Sequence, residues 1–148
     1  MQSLSAMRYE KRSAEMGSEG HFEVESLDGR FRRFERRIRV AAAELLRGTG
    51  NREVSFGVYF VGSRIMNRNV LAFPAPKRFP RPDTPGKFLG EIYLNPGYIE
   101  EHGENLHYML VHGFLHLLGY DHIAKGARIV MERRERVLMK KLQLPSQR

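Results

Sequence analysis

The sequence contains no cysteine. Disulfides, thiolate metal sites and cysteine nucleophiles are therefore excluded, and any transition metal must be held by His, Asp or Glu. A cysteine-free chain fits a reducing compartment. Apolar runs long enough to span a membrane are absent too. Residues 1–20 lack the apolar core of a secretory signal, and Glu10, Glu15 and Glu19 do not suit an acid-poor transit peptide. These residues are expected to form a disordered lead-in, and the protein is expected to be cytoplasmic with no membrane association. What remains suffices for one domain, expected over residues 21–144. A chain of 148 residues, 41% of them hydrophobic, can bury a core without disulfide staples.

The net charge of +8 is unevenly spread. Residues 30–39 hold six arginines against Glu35 alone, and residues 125–148 hold eight basic residues against Glu132 and Glu135. Between these blocks, residues 89–124 carry five acids and neither Lys nor Arg. An Arg-rich helix face is ordinarily solvated surface. Two such blocks flanking an acidic centre suit a polyanion gripped by its backbone while chemistry happens between them.

Alternation over residues 21–27, with Phe22 and Val24 on one face, predicts a strand, and Asp28-Gly29 a turn. Helical spacing runs over 31–47 through Phe31, Phe34, Ile38 and Leu45, and Gly48 and Gly50 end it. Residues 54–61 alternate with Val54, Phe56, Val58 and Phe60 on one face. A short strand over 70–73 is stopped by Pro74. Residues 74–87 hold five of the seven prolines and read as a basic loop containing Lys77 and Arg78. A further strand over 89–94 ends at Asn95-Pro96-Gly97. Helices follow over about 104–118 and 127–142, the latter with Ala127, Met131, Leu138 and Leu142 on one face. The order predicts an α+β fold: a small mixed sheet covered by helices, with the histidine-bearing helix central.

That helix carries the chemistry. His112 and His116 are four apart, which places both imidazoles on one face, one turn apart. Gly119 can take the positive φ that ends a helix and turns the chain back, bringing His122 in as a third ligand. Three neutral imidazoles with one position open is the catalytic arrangement of a single Zn2+ ion. Met109, Leu110, Val111, Phe114, Leu115, Leu117 and Leu118 make the helix apolar nearly all round, so it is buried. An unpaired imidazole nitrogen there would cost about 1–3 kcal/mol, which ligation removes. His21 and His102 lie elsewhere, and His107 points about 140° away from His112. Asp121 has two readings, a partner for a ligand's second N–H or a cap for the turn, and the first is preferred. In metalloproteases the residue after the first His is the general-base Glu, but here it is Gly113. The base must come from elsewhere or be the metal-bound water itself.

The segment His-Gly-Phe-Leu-His-Leu-Leu-Gly-Tyr-Asp-His, residues 112–122, resembles the signature of the YbeY-type endoribonucleases, the bacterial rRNA maturation factors. Val70-Leu-Ala-Phe-Pro74 is similar to that family's V-L-S-F-P strand, and Gly90-Glu-Ile-Tyr-Leu94 to its G-D-I-x-I strand. Met131-Glu132 and Glu135 sit where the family's last helix has a similar pattern, and the resemblance spans roughly residues 54–142. It implies a zinc-binding α+β domain that cleaves single-stranded RNA in 16S-type rRNA 3′-end maturation and ribosome quality control, with His112, His116 and His122 as ligands. RNA and the small ribosomal subunit are the partners implied; DNA is not expected.

Residues 61–69 depart from the family, being shorter than its segment before V-L-S-F-P. Met66-Asn67 stands for its L-N and Asn69 for its last Asp. Arg68 and Arg64 are the two candidates for its cleft arginine, and with Lys77 and Arg78 they form the expected substrate-binding set. The rival readings are a zinc protease, disfavoured by Gly113, and a non-catalytic RNA- or ribosome-binding module stabilised by zinc.

Overall fold

The computed structural model describes residues 21–49, 53–76 and 86–142. The expected lead-in over 1–20, Lys77 and Arg78 with most of the proline-rich loop, and the end of the expected domain lie outside the described residues.

β1 (His21–Ser26) leads through a 3₁₀ helix (Gly29–Phe34) into α1 (Glu35–Thr49), followed by β2 (Val54–Phe60), β3 (Val70–Pro74) and β4 (Lys87–Leu94). Three helices follow: α2 (Pro96–Glu101), α3 (Leu106–Leu117) and α4 (Lys125–Lys141). The helix expected from residue 31 thus begins as a 3₁₀ turn. The Asp28 side chain accepts the Arg30 N–H at 3.0 Å. Phe31 and Phe34, three apart, are both buried, and a three-residue period places them on one side. α2 replaces the plain strand end expected at Asn95-Pro96-Gly97. Asn95 caps it by accepting the Tyr98 N–H at 3.0 Å, and Pro96 occupies its first turn, where no N–H is needed.

The four strands form one mixed sheet in the order β1-β2-β4-β3. β1, β2 and β4 run parallel, while β3 lies antiparallel along β4 from Val70↔Leu94 to Pro74↔Gly90. Pro74 is tolerated because β3 is an edge strand. The β2–β3 connection is tied down by buried Asn95, whose amide donates to Met66 O at 2.8 Å and Ser63 Oγ at 3.1 Å.

α1 and α3 cover one face of the sheet. Ile38, Ala41, Ala42 and Leu45 of α1 are buried with Phe56, Val58 and Phe60 of β2. Phe114 of α3 meets Phe56 with ring centroids 5.0 Å apart. Gly113 lies against the sheet: a Cβ there would be 2.8 Å from Ile92 Cγ2 and 3.3 Å from Val70 Cγ2. α4 packs on the outside of α3 through Met131 and Leu138. Among the described residues no helix is long and apolar enough to cross a membrane.

Candidate metal centre

α3 is capped by Asn105, whose side chain accepts the Tyr108 N–H at 2.8 Å. Its C-terminus ends at Gly119, whose φ of +99° turns the chain back on itself. Asp121 then caps the returning segment, with Oδ1 accepting the Ile123 N–H at 2.9 Å. This is the turn-capping arrangement, and it sets the backbone that carries His122.

The three histidines converge. His116 Nε2 lies 3.2 Å from His112 Nε2 and 3.1 Å from His122 Nδ1. His112 and His116 are partly buried and His122 is exposed. His116 Nε2 faces both other nitrogens but can carry at most one proton, so protonation satisfies at most one approach. A cation satisfies both. A tetrahedral ion with bonds of about 2.0–2.1 Å spaces its ligand nitrogens by roughly 3.3 Å, so the donors fit zinc in type and spacing. Among the described residues this is the one cluster of three or more His, Asp or Glu side chains arranged to hold a metal ion. Burial, and then His112 and His122, push the His116 imidazole below its ordinary pKa, which favours the neutral form a ligand needs.

The carboxylate on the His112 ring is Glu135, on α4. Its Oε2 accepts from His112 Nδ1 at 2.6 Å, and its Oε1 accepts from the Tyr108 hydroxyl at 2.8 Å. Glu135 is 4% exposed. Burial, followed by Glu135, pushes the Tyr108 hydroxyl up to about 12, so it stays a donor at neutral pH. Sequence reasoning misses this partner of His112, although a signal is there. Residue 135 falls on the same helical stripe as Met131, Leu138 and Leu142, and a lone carboxylate on an apolar stripe needs a buried partner.

The histidines open into a cleft of about 620 Å³ between α3, β3 and the 119–123 turn. Arg68, Asn69 and Tyr108 also line it. Arg64 lies elsewhere, in a separate depression with Asp28 and Arg30. Asn69 is engaged locally: its Oδ1 accepts the Val70 N–H at 2.7 Å and its Nδ2 donates to Glu104 at 3.2 Å. The other histidines stay apart. His21 is buried in β1, His102 stacks on Tyr98 with centroids 3.8 Å apart, and His107 is buried at the start of α3.

A model of the family described as Endoribonuclease YbeY matches residues 64–143. Proteins named Endoribonuclease YbeY are similar to this chain in Bartonella bacilliformis (42% identical over 84 residues, 50% of this chain and 51% of the relative). The Rhizobium etli protein of that name is 40% identical over 86 residues, 51% of this chain and 48% of the relative. That of Nitrobacter winogradskyi is 34% identical over 130 residues, 74% of this chain and 68% of the relative. The chain thus spans about half the length of the first two relatives and about two thirds of the third.

Proposed function

The chain belongs to the Endoribonuclease YbeY family, and from that premise we propose that it is a zinc-dependent hydrolase cutting single-stranded RNA in the cytoplasm. Its place would be rRNA 3′-end maturation on the small ribosomal subunit, with a part in ribosome quality control. The observation that carries this reading is the meeting of three imidazole nitrogens, 3.1 and 3.2 Å apart, at the wall of a cleft that also holds Arg68.

His112, His116 and His122 are the ligands in this reading. When bound there, zinc supplies Lewis-acid polarisation of a phosphoryl oxygen. Arg68 lines the same cleft and would hold a phosphate of the bound strand. Arg64, in a separate depression, would hold the strand at a second point. Such contacts orient the backbone and carry no sequence information, so selectivity rests on strand shape. Gly113 supports RNA over peptide as substrate. The position where a metalloprotease carries its general base faces Ile92 and Val70, with no room for a glutamate.

The test compares a labelled single-stranded RNA with its duplex, using zinc-loaded protein, chelator-stripped protein and stripped protein with zinc restored. Cleavage of the single strand alone, lost on stripping and regained with zinc, is expected. Equal cleavage by the stripped protein would refute the metal role. Casein digestion with RNA left intact would move the reading to a protease.

A further inference from the structure

Glu135 is a carboxylate on an otherwise apolar helix stripe, 4% exposed, with both oxygens engaged. Stability does not account for it. Burying an ionised carboxylate costs several kcal/mol, and a well-packed apolar residue in its place is often neutral or stabilising. What distinguishes the position is what the oxygens touch. One meets the far side of the His112 ring, away from the nitrogen that faces His116. The other is held by Tyr108, which precedes His112 by one turn on the same face of α3.

We infer that Glu135, braced by Tyr108, is the positioning residue of the metal site. An ionised carboxylate only accepts, so the imidazole proton of His112 must sit on Nδ1. That leaves the Nε2 lone pair directed at His116 Nε2, 3.2 Å away. In solution a neutral imidazole exchanges between tautomers, and only one of them presents Nε2. The carboxylate removes the other before any metal arrives. Tyr108 keeps the carboxylate from turning, because its hydroxyl holds the second oxygen at 2.8 Å. The network also anchors α4 to the site, since no other residue of α4 contacts a site histidine in the hydrogen bonds and ring contacts of the described residues.

The inference rests on the three histidines being a metal site, but its first test needs no metal. Long-range proton–nitrogen correlation spectra of the metal-free full chain, recorded above the imidazole titration range, report the tautomer of each histidine. His112 protonated at Nδ1 is expected, and His112 protonated at Nε2 in the wild type overturns the proposal whatever the variants do. Glu135→Gln keeps the size and packing of the side chain and removes its charge. With an unchanged far-UV spectrum, it is expected to show mixed His112 tautomers and a zinc dissociation constant raised about tenfold, measured by competition with a chromophoric chelator. Tyr108→Phe is expected to give a smaller rise of the same sign. A purely structural role predicts wild-type tautomer and affinity in Glu135→Gln, and that result overturns the proposal. Failure of the wild type to bind zinc at all would instead refute the proposed function, leaving the tautomer measurement to stand alone.

Discussion

Gly113 separates two pressures on one residue. Alanine at a helix interior is favoured over glycine by about 1 kcal/mol. Here its Cβ would be 2.8 Å from Ile92 Cγ2, an atom one bond from the Ile92 Cβ with little freedom to retreat. Overpacking of that kind costs about 1–3 kcal/mol, so Gly113→Ala is expected to lower stability in urea denaturation, with a loss of up to about 2 kcal/mol. A stabilised variant would contradict the close approach of α3 to the sheet. Gly119 is a different case, because a Cβ there meets nothing within 4 Å. Its φ of +99° is the constraint. Gly119→Ala is expected to cost about 1–2 kcal/mol through backbone strain and to weaken zinc binding by displacing His122. Unchanged zinc affinity would show that the turn does not position that ligand. The clustering of His112, His116 and His122 was legible in the sequence because a four-residue spacing followed by glycine is local information. Glu135 was not, because its partner is 23 residues away on another helix. Asp121 offered two local readings, and the structure shows the capping bond to the Ile123 N–H.

Among the elements, α4 connects packing to chemistry. Met131 is 1% exposed and sits one turn before Glu135. Met131→Ala should destabilise by about 2–4 kcal/mol, as truncations in well-packed cores do. Leu45→Ala in α1, also at 1% exposure, serves as a matched control. At equal fractions folded, zinc affinity should fall in Met131→Ala and hold in Leu45→Ala, since only the former lies on the helix that carries Glu135, one turn from it. Equal affinities would detach α4 from the site. Long periodic elements were readable, but their starts were less so. α3 begins after its Asn105 cap and α4 at Lys125, two residues from the expected positions or closer. α2 escaped because Asn95-Pro96-Gly97 is a turn signal as much as a helix start, and its six residues are too few for a periodicity. The 3₁₀ entry to α1 escaped because Phe31 and Phe34 fit both helical periods.

Across the whole molecule, the α+β class and the mixed sheet were expected from the order of elements. The strand order was not, because β3 pairs antiparallel at the edge through contacts that no local pattern encodes. The same distance between sequence and space governs the charges. Arg36 and Arg37 are exposed on α1, and Arg37 borders a depression shared with His107. His107 is nine residues before His116 on α3, roughly 14 Å along the helix axis. A strand held at Arg36 and Arg37 would therefore be gripped away from the proposed metal site. Replacing Arg36 and Arg37 by Ala is expected to weaken RNA binding and to flatten its dependence on log salt by about 0.7 for each phosphate no longer neutralised, with bound zinc unchanged. A salt slope equal to wild type would place the RNA on another surface.

In the proposed function, His112, His116 and His122 together hold one catalytic ion. The most direct test is elemental analysis of the purified chain alongside cleavage of a single-stranded RNA, for wild type and His116→Ala. One zinc per wild-type chain with cleavage is expected, and loss of both in a folded His116→Ala variant. A wild type without stoichiometric metal, or a variant that cleaves as well as wild type, would contradict it.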